Sequence, residues 1–335
     1  MTQKKTTIVD VAKKSGVSIA TVSRVINKSG YVSDEKTSLV KRTIKELDYH
    51  QNKLARSLNT KRTNMVALII GDITNPFYPQ LTLGVEETAN KYDYKVILCN
   101  TSGDPEKEKR YIEELLSIQI DGFIFAQSRM EKEAFPDFSR MNIPVVILDE
   151  QIPIPICDRV LFNHRKGAYE VTEYLIKKGY QRIAHIGGPR HLLTAQERKR
   201  GYLKALEAYD VKPLPQLIQT AEYTIESGKE TMEMMLALGN YPDAVFGAND
   251  MIAIGAMEAI KSKGLRIPND IAFAGYDDIL FARLITPKLT TVLQPTNQIG
   301  ALAMRVLMDR LNKSYDSPDP RIIILQPTLS IRESS

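Results

Sequence analysis

Residues 7–28 read Thr7-Ile8-Val9-Asp10-Val11-Ala12-Lys13-Lys14-Ser15-Gly16-Val17-Ser18-Ile19-Ala20-Thr21-Val22-Ser23-Arg24-Val25-Ile26-Asn27-Lys28. Apolar residues recur at helical spacing on both sides of Gly16, which permits a sharp turn, and Ser18 is a good N-cap for the second segment. The outer face of that segment carries hydroxyl, amide and guanidinium groups, which can contact base edges and phosphates. The pattern predicts a helix-turn-helix, whose second helix lies in the major groove of DNA; a helical hairpin with a solvated face is the alternative.

The charge distribution favours the DNA interpretation. Residues 1–64 contain 14 Lys and Arg against 5 Asp and Glu, a net charge of +9, whereas the remaining residues contain 31 against 35, a net charge of −4. A basic N-terminal segment on a mildly acidic body is expected when only that segment meets a polyanion.

Length and composition indicate an ordinary globular protein of two or three units, because the 335 residues are 43% hydrophobic and 25% charged. The sequence shows neither an apolar secretion signal after Met1 nor an apolar run long enough to span a membrane. Cys99 and Cys157 lie in apolar stretches, which are more typical of buried thiols than of a disulfide. We therefore expect a cytoplasmic protein without membrane attachment.

A third helix is predicted from Ser33 to Leu47, with Asp34 and Glu35 in its first turn. Its apolar residues can close a three-helix domain over the first two helices. Residues 52–64 are polar and basic, and they form either a plain linker or a marginal helix that orders on DNA, since so short a segment does not hold a helix alone.

From Met65 onward, apolar strands alternate with amphipathic helices. The predicted strands are Val66–Ile70, Lys95–Cys99, Gly122–Phe125, Pro144–Leu148, Arg182–Ile186, Ala244–Gly247, Ile271–Gly275 and Thr291–Leu293. The helices between them include Gln80–Lys91, Pro105–Ser117, Arg165–Lys178 and Asp250–Lys263. This alternation predicts parallel sheets that are covered by helices on both faces.

The predicted strands end in polar residues, and ligands bind parallel sheets at this edge. These residues are Asp72, Asn75, Asp149, Asn163, Gly187, Gly188, Asn249, Asp250, Asp277 and Asp278. They suit a cleft for a hydroxyl-rich molecule, although any α/β protein places loop residues at the same edge.

Several motifs are shared with a known family. In the N-terminal part they are Asp10-Val-Ala, Gly16-Val-Ser, Thr21-Val-Ser-Arg-Val, Asn27, Tyr31-Val-Ser33 and Ala55-Arg-Ser-Leu58. In the body they are Asp72-Ile-Thr-Asn-Pro-Phe77, Asp121-Gly-Phe, Gly187-Gly-Pro, Arg198, Gly201-Tyr202, Ala248-Asn-Asp250, Gly275-Tyr-Asp-Asp278, Pro287-Lys-Leu-Thr-Thr and Gln294-Pro295. Over nearly its whole length the chain resembles the lac and gal repressor (LacI/GalR) family of bacterial transcriptional regulators.

The resemblance implies a small all-α helix-turn-helix head at residues 1–51, a hinge helix and linker at 52–64, and an α/β body at 65–335. The body would consist of two doubly wound parallel-sheet lobes, like a periplasmic binding protein, and would bind the effector and a second copy of the chain. One lobe would comprise about 65–162 and 294–322, and the other about 163–293 and 323–335.

The resemblance also implies which residues contact DNA. Bases would be contacted by Ile19, Ala20 and Arg24, and phosphates by Thr7, Ser18, Thr21, Ser23, Asn27, Tyr31, Tyr49 and Asn52. Ala55 belongs to the same set, and Leu58 would wedge into the minor groove, where the cost of unstacking is offset by contacts to the bent DNA. The family often has Gly-Tyr-x-Pro-Asn before the hinge, but this chain reads Asp48-Tyr-His-Gln-Asn52. Without the proline, we expect ordering of the hinge to cost more entropy.

The effector positions of the family fall on Phe77, Tyr78, Asp149, Phe162, Arg198, Tyr223, Asn249 and Asp277. Aromatic rings can cover the apolar face of a sugar, while Asp, Asn and Arg bind its hydroxyls. For Phe162 and Tyr223, core packing is an equal alternative. Arg198 and Asp277 are stronger candidates, because a charge in a buried cleft needs a partner.

Enzymes and transport proteins find less support in the sequence. It contains no Gly-x-x-x-x-Gly-Lys-Ser/Thr loop and no Gly-x-Ser-x-Gly elbow, and its four histidines lack metal-ligand spacing. We therefore predict no catalytic residue, metal site or cofactor. An extracytoplasmic sugar-binding protein would share the body but not the basic head.

A global catabolite regulator that binds a phosphorylated carrier protein is the closer alternative. By resemblance, Asp309 and Asn297 replace a lysine and an aromatic residue of that subgroup, and an aspartate repels a phosphate. A purine corepressor is disfavoured because Leu192 occupies the position of the purine repressor's arginine. We expect a homodimeric repressor of a carbohydrate operon that binds a pseudo-palindromic operator and a small sugar or sugar derivative. The sequence leaves open whether the ligand is an inducer or a corepressor, and whether the assembly is a dimer or a tetramer.

Overall fold

The structure is a computed structural model that describes residues 6–27, 29–49, 62–149, 154, 157–237, 239, 241–315, 317 and 319–335. The chain divides into two compact units, Met1–Thr63 and Asn64–Ser335. Each unit has its own apolar core.

Three helices form the described part of the N-terminal unit: α1 (Ile8–Ser15), α2 (Ile19–Asn27) and α3 (Asp34–Glu46). A capping box with Thr7 and Asp10 starts α1, and Gly16 ends it in the left-handed conformation at φ 67°. Val11, Val22 and Val40, one from each helix, are fully buried together. The helix-turn-helix predicted from the sequence is therefore confirmed in its backbone.

The second unit alternates strands and helices. Its strands are β1 (Met65–Ile70), β2 (Lys95–Asn100), β3 (Gly122–Phe125), β4 (Val145–Leu148), β5 (Asp158–Phe162), β6 (Ile183–Gly187), β7 (Ile218–Thr220), β8 (Ala244–Gly247), β9 (Ala272–Asp277), β10 (Thr290–Leu293), β11 (Ile322–Leu325) and β12 (Thr328–Ser330). Its helices are α4 (Phe77–Lys91), α5 (Pro105–Ser117), α6 (His164–Lys177), α7 (Leu193–Ala208), α8 (Ile225–Ala237), α9 (Asp250–Ser262), α10 (Leu280–Leu284) and α11 (Thr296–Leu311). Single 3-10 turns occur at Lys132–Ala134 and Pro215–Leu217.

These strands form two six-stranded sheets, ordered β11-β5-β4-β3-β1-β2 and β12-β10-β9-β8-β6-β7. Neighbouring strands pair in parallel, except that β12 is antiparallel to β10. The chain passes from one sheet to the other after β5, after β10 and after β11. This is the predicted architecture of two doubly wound lobes.

Successive residues of a strand point to opposite faces of the sheet, so a continuously apolar strand makes both faces apolar. Helices therefore cover both faces of each sheet. In β1, Val66 and Leu68 enter one apolar cluster and Ala67 and Ile69 enter another. The helices approach closely where glycines permit it: a Cβ at Gly300 of α11 would lie 2.2 Å from the carbonyl oxygen of Leu81 in α4.

Four strands were absent from the strands predicted from the sequence: β5, β7, β11 and β12. The pairing of β11 with β5 also places residues 322–325 in the first sheet, so the last crossing falls between β11 and β12, a few residues later than the resemblance implies. Among the described helices, none is long and apolar enough to cross a membrane.

Candidate functional site

A cavity opens between the two sheets of the second unit, at the carboxyl ends of the strands. The space between its walls, counted together with the open solvent at its mouth, is about 470 Å³. The lining residues are Asn75, Phe77, Tyr78, Ala126, Gln127, Asp149, Leu192, Thr194, Arg198, Tyr223, Asn249 and Asp277. Aromatic rings stand beside carboxylates, amides and a guanidinium, which is the mixture that a sugar ring and its hydroxyls require.

Arg198 on α7 is the cationic centre of this cavity, and only 5% of its surface is exposed. Its Nη1 donates to the carbonyl oxygen of Ala248 at 2.6 Å, and its Nη2 lies 3.4 Å from Oδ1 of Asp277. The guanidinium also stacks on Tyr276, with 3.9 Å between its carbon atom and the ring centroid. These contacts satisfy a buried charge and fix the plane of the guanidinium.

Asp277, the last residue of β9, is held in an unusual backbone conformation, with φ 109°. Such values are rare outside glycine and tend to persist at functional sites. Nε2 of Gln294 donates to its Oδ1 at 2.7 Å. Burial raises the pKa of Asp277 from 3.8 to about 6, although Arg198 and Gln294 act in the opposite direction. The carboxylate is therefore poised to titrate just below neutral pH.

His164, the first residue of α6, connects a carboxylate of one lobe to the guanidinium of the other. Nε of Arg198 donates to its Nδ1 at 3.2 Å, and its Nε2 lies 2.7 Å from Oδ2 of Asp149. Burial lowers the pKa of His164, while Asp149 opposes and Arg198 reinforces this shift. The ring is therefore neutral at pH 7 and carries its proton on Nε2, facing Asp149.

Asn249 caps α9 and belongs to the lining of the cavity. Its Oδ1 accepts from the backbone amide of Ile252 at 2.9 Å, and only 1% of the residue is exposed. Its Nδ2 has no hydrogen-bond partner among the described residues. A buried amide donor is seldom left without a partner, so Nδ2 is a candidate donor to a ligand oxygen.

Tyr223 and Tyr78 complete the walls. A Cβ at Gly188 would lie 2.4 Å from the Tyr223 ring, so only glycine leaves room for this ring. Tyr78 donates its hydroxyl hydrogen to Oε1 of Gln127 at 2.9 Å, and its ring meets that of Phe77 edge to face, with centroids 5.4 Å apart.

Seven of the eight predicted effector residues line this cavity: Phe77, Tyr78, Asp149, Arg198, Tyr223, Asn249 and Asp277. Phe162 does not. It is 5% exposed, and its ring centroid lies 5.5 Å from that of His164 and 6.3 Å from that of Tyr276, because this position of β5 faces the core behind the cavity. Its backbone amide instead donates to Oδ1 of Asp149 at 2.9 Å and thereby orients that carboxylate.

The site also contains residues that the sequence did not single out for it, namely Ala126, Gln127, Thr194 and the supporting His164. The sequence indicates Asn75 only as a polar residue at the end of a strand. It indicates Leu192 only as a residue that disfavours a purine corepressor. The sequence does carry a signal for His164, because this residue directly follows the polar strand end Asn163 and begins a helix.

In the N-terminal unit, the predicted DNA-contacting face of α2 is accessible. Ile19 is 48% exposed, Tyr31 is 92% exposed, and Ala20, Arg24 and Asn27 are also exposed. Thr21 and Ser23 are half-buried.

Several predicted phosphate contacts also have structural roles. Ser18 caps α2 by accepting from the amide of Thr21 at 3.1 Å, and Thr7 caps α1. Asn27 donates to Oγ of Ser23 at 3.2 Å, and Tyr49 packs partly on the apolar core. Asn52, Ala55 and Leu58 lie outside the described residues.

Comparison with known proteins places these features in a family. Residues 7–52 match the bacterial regulatory proteins of the lacI family, and residues 63–329 match the periplasmic binding proteins and sugar-binding domain of the LacI family. The chain belongs to the LacI family. This family consists of DNA-binding transcriptional regulators rather than enzymes.

Individual LacI-family members match along nearly their whole length. The ribose operon repressor of Halalkalibacterium halodurans is 37% identical, with 98% of this chain and 99% of that protein covered. The HTH-type transcriptional repressor PurR of Actinobacillus pleuropneumoniae is 34% identical, with 98% of each covered. The lac repressor dimer bound to operator and the anti-inducer ONPF is 28% identical with a TM-score of 0.88, and 99% of each chain is covered.

Proposed function

We propose that this LacI-family protein represses a carbohydrate-utilisation operon and is controlled by a small sugar that binds in the cavity. The observation that carries the sugar assignment is the buried, unpartnered Nδ2 of Asn249 beside the paired Arg198 and Asp277. Amide, guanidinium and carboxylate groups together supply donors and acceptors for several hydroxyls, and Phe77 and Tyr223 supply ring faces.

The division of the chain into two units supports an assignment of separate roles to its segments. We assign residues 1–51 to operator recognition, 52–64 to a hinge helix and linker, and 65–335 to effector binding and dimerisation. In this assignment Ile19, Ala20 and Arg24 contact bases, Thr7, Ser18, Thr21, Ser23, Asn27, Tyr31, Tyr49 and Asn52 contact phosphates, and Leu58 wedges into the minor groove with Ala55 beside it. A cytoplasmic, nucleoid-associated location accords with this role.

A homodimer is proposed because one recognition helix offers little surface for specificity, and a two-fold dimer doubles it on a pseudo-palindromic site. The short helix α10 exposes Leu280 and Leu284 by 65% and 67%, and Phe281 by 44%. Exposed large apolar side chains that are grouped on one short helix favour an interface between copies.

A phosphorylated carrier protein is not favoured as corepressor. Oδ2 of Asp309 lies 2.8 Å from Nη1 of Arg321, so the acidic residue that replaces the subgroup's lysine is held by a neighbouring arginine. A purine is not favoured either, since Leu192 in the cavity wall offers no hydrogen bond to a purine ring edge.

Selection of binding sites from a random DNA library by the intact chain tests the proposal. We expect an enriched site with two-fold symmetry, and two chains per duplex by sedimentation. An asymmetric site bound by one chain would contradict the dimeric assignment, and the absence of any enriched sequence would contradict sequence-specific repression.

A further inference from the structure

The charges that line the cavity restrict which sugars it can accept. Among the described residues of the lining, Arg198 is the one cation, whereas Asp149 and Asp277 both supply carboxyl groups. We infer that the effector is an uncharged, hydroxyl-rich sugar and that the site rejects phosphorylated sugars and sugar acids. This inference rests on the proposed function and narrows the class of effector.

The donors of Arg198 are largely committed within the protein. Its Nε–H donates to a histidine, its Nη1 donates to the carbonyl of Ala248, and its Nη2 faces the Asp277 carboxylate. Arginine binds phosphates and carboxylates most strongly through two parallel N–H groups that share one anion. Here Nε–H is occupied, and the Asp277 carboxylate already neutralises the positive charge. Arg198 can therefore offer its remaining N–H groups to hydroxyls, but it is a poor anion receptor.

Among the described lining residues, no second cation balances the two carboxyl groups. His164 touches Arg198 and Asp149, and its buried ring is neutral at pH 7 because burial lowers its pKa. Glu197, on the same helix as Arg198, is already ion-paired, because Nε of Arg165 lies 2.8 Å from its Oε2. Anionic groups brought into this cavity would face two carboxylates in a partly desolvated space, where like charges repel strongly.

The remaining polar groups are suited to hydroxyls. Asn75, Gln127 and Asn249 contribute neutral amides, and Thr194 contributes a hydroxyl. A carboxylate accepts hydrogen bonds and a hydroxyl can donate them, so Asp149 and Asp277 act as attractive partners for a neutral sugar and as repulsive ones for an anion. The same residues thus provide both affinity and discrimination.

Calorimetric titration of the intact chain with matched sugars tests this inference. The pairs are D-ribose with D-ribose 5-phosphate, and D-glucose with D-glucose 6-phosphate and D-gluconate, within a wider panel of neutral pentoses, hexoses and disaccharides. We expect a neutral sugar to bind and its own phosphate or acid to bind at least about tenfold more weakly, equivalent to about 1.4 kcal/mol.

Equal or tighter binding of an anionic member would overturn the inference while leaving the proposed sugar control intact. Binding of neither kind across the panel would contradict the sugar assignment itself. Arg129→Ala serves as a control, because Arg129 is a cation near His191 that is outside the lining. The preference should be unchanged in this variant, and a phosphate affinity that depended on Arg129 would also overturn the inference.

Discussion

Effector affinity should fall at acidic pH, because Asp277 must be ionised to orient Arg198 and to accept hydrogen bonds from the sugar. Its Oδ1 accepts from Gln294 and faces Arg198, and the protonated carboxyl would lose the charge that orients the guanidinium. With a pKa of about 6, Asp277 is mostly ionised at pH 7, about half ionised at pH 6 and about one-tenth ionised at pH 5.

The expected magnitude follows from that fraction. If only the ionised form binds, the apparent Kd equals the intrinsic Kd divided by the ionised fraction. The apparent Kd should therefore roughly double from pH 7 to pH 6 and rise about tenfold by pH 5, with little change between pH 7 and pH 8. Isothermal titration of the intact chain with its neutral sugar, in buffers of different ionisation enthalpy, measures both the affinity and the protons taken up.

An Asp277→Asn variant provides the control, because the amide keeps the size of the side chain and removes its titration. It should bind the sugar more weakly at pH 7 and lose most of the pH dependence between pH 5 and pH 8. The variant also separates Asp277 from His164, which titrates in the same cluster. A wild-type Kd that stays constant down to pH 5, or the same slope in the variant, would refute this assignment of the pH dependence.

Three further predictions concern other parts of the chain. His185 is buried between the rings of Tyr202 and Phe246, and burial lowers its pKa to about 4. In the unfolded chain the imidazole takes up a proton near pH 6.5, so acidification favours unfolding. The free energy of unfolding should therefore fall by about 2 kcal/mol between pH 7.5 and pH 5 because of this histidine. Chemical denaturation at both pH values should show a smaller loss for His185→Phe, and an equal loss would exclude His185 as the source. Arg24→Ala should reduce discrimination between operator and random DNA by about 1–3 kcal/mol, because Arg24 is assigned to base edges. Lys61 lies in the basic segment 52–64 and is assigned to phosphate contact, so Lys61→Ala should weaken binding to both DNAs alike and flatten the salt dependence. Equal effects of the two changes on specificity would contradict the assigned face. Leu58→Ala should abolish the operator bend seen by energy transfer across a doubly labelled duplex without changing sugar affinity, and an unchanged bend would argue against the wedge.

The sequence predicted the elements with strong periodicity. The helix-turn-helix and the eight apolar strands stand out because each buries a regular pattern of side chains. The missed strands lack such a pattern: β5 begins with the charged pair Asp158 and Arg159, and β11 is an edge strand in which Ile322 and Ile324 are more than half exposed. Their place in the sheet depends on pairing with distant residues, which local periodicity does not encode.

The site was predictable only in part. Asp149, Asn249 and Asp277 follow predicted strands, and the carboxyl ends of parallel strands meet at one edge, so their convergence could be expected. The role of His164 depends on a contact to Asp149 in the other lobe and on a contact to Arg198 on the next helix of its own lobe. The position of Phe162 outside the cavity depends on which face of β5 points inward. Both are tertiary features that neighbouring residues along the chain do not specify.

Operator affinity measured with and without sugar shows whether the cavity is coupled to the DNA-binding head. Fluorescence anisotropy with the selected operator and the neutral sugar would be compared between the wild type and Arg198→Ala, which lies in the body and should bind operator normally without sugar. We predict that saturating sugar changes the operator Kd of the wild type at least tenfold and leaves that of Arg198→Ala unchanged. A sugar that binds the wild type without altering its operator affinity would show that the cavity does not control the DNA-binding head.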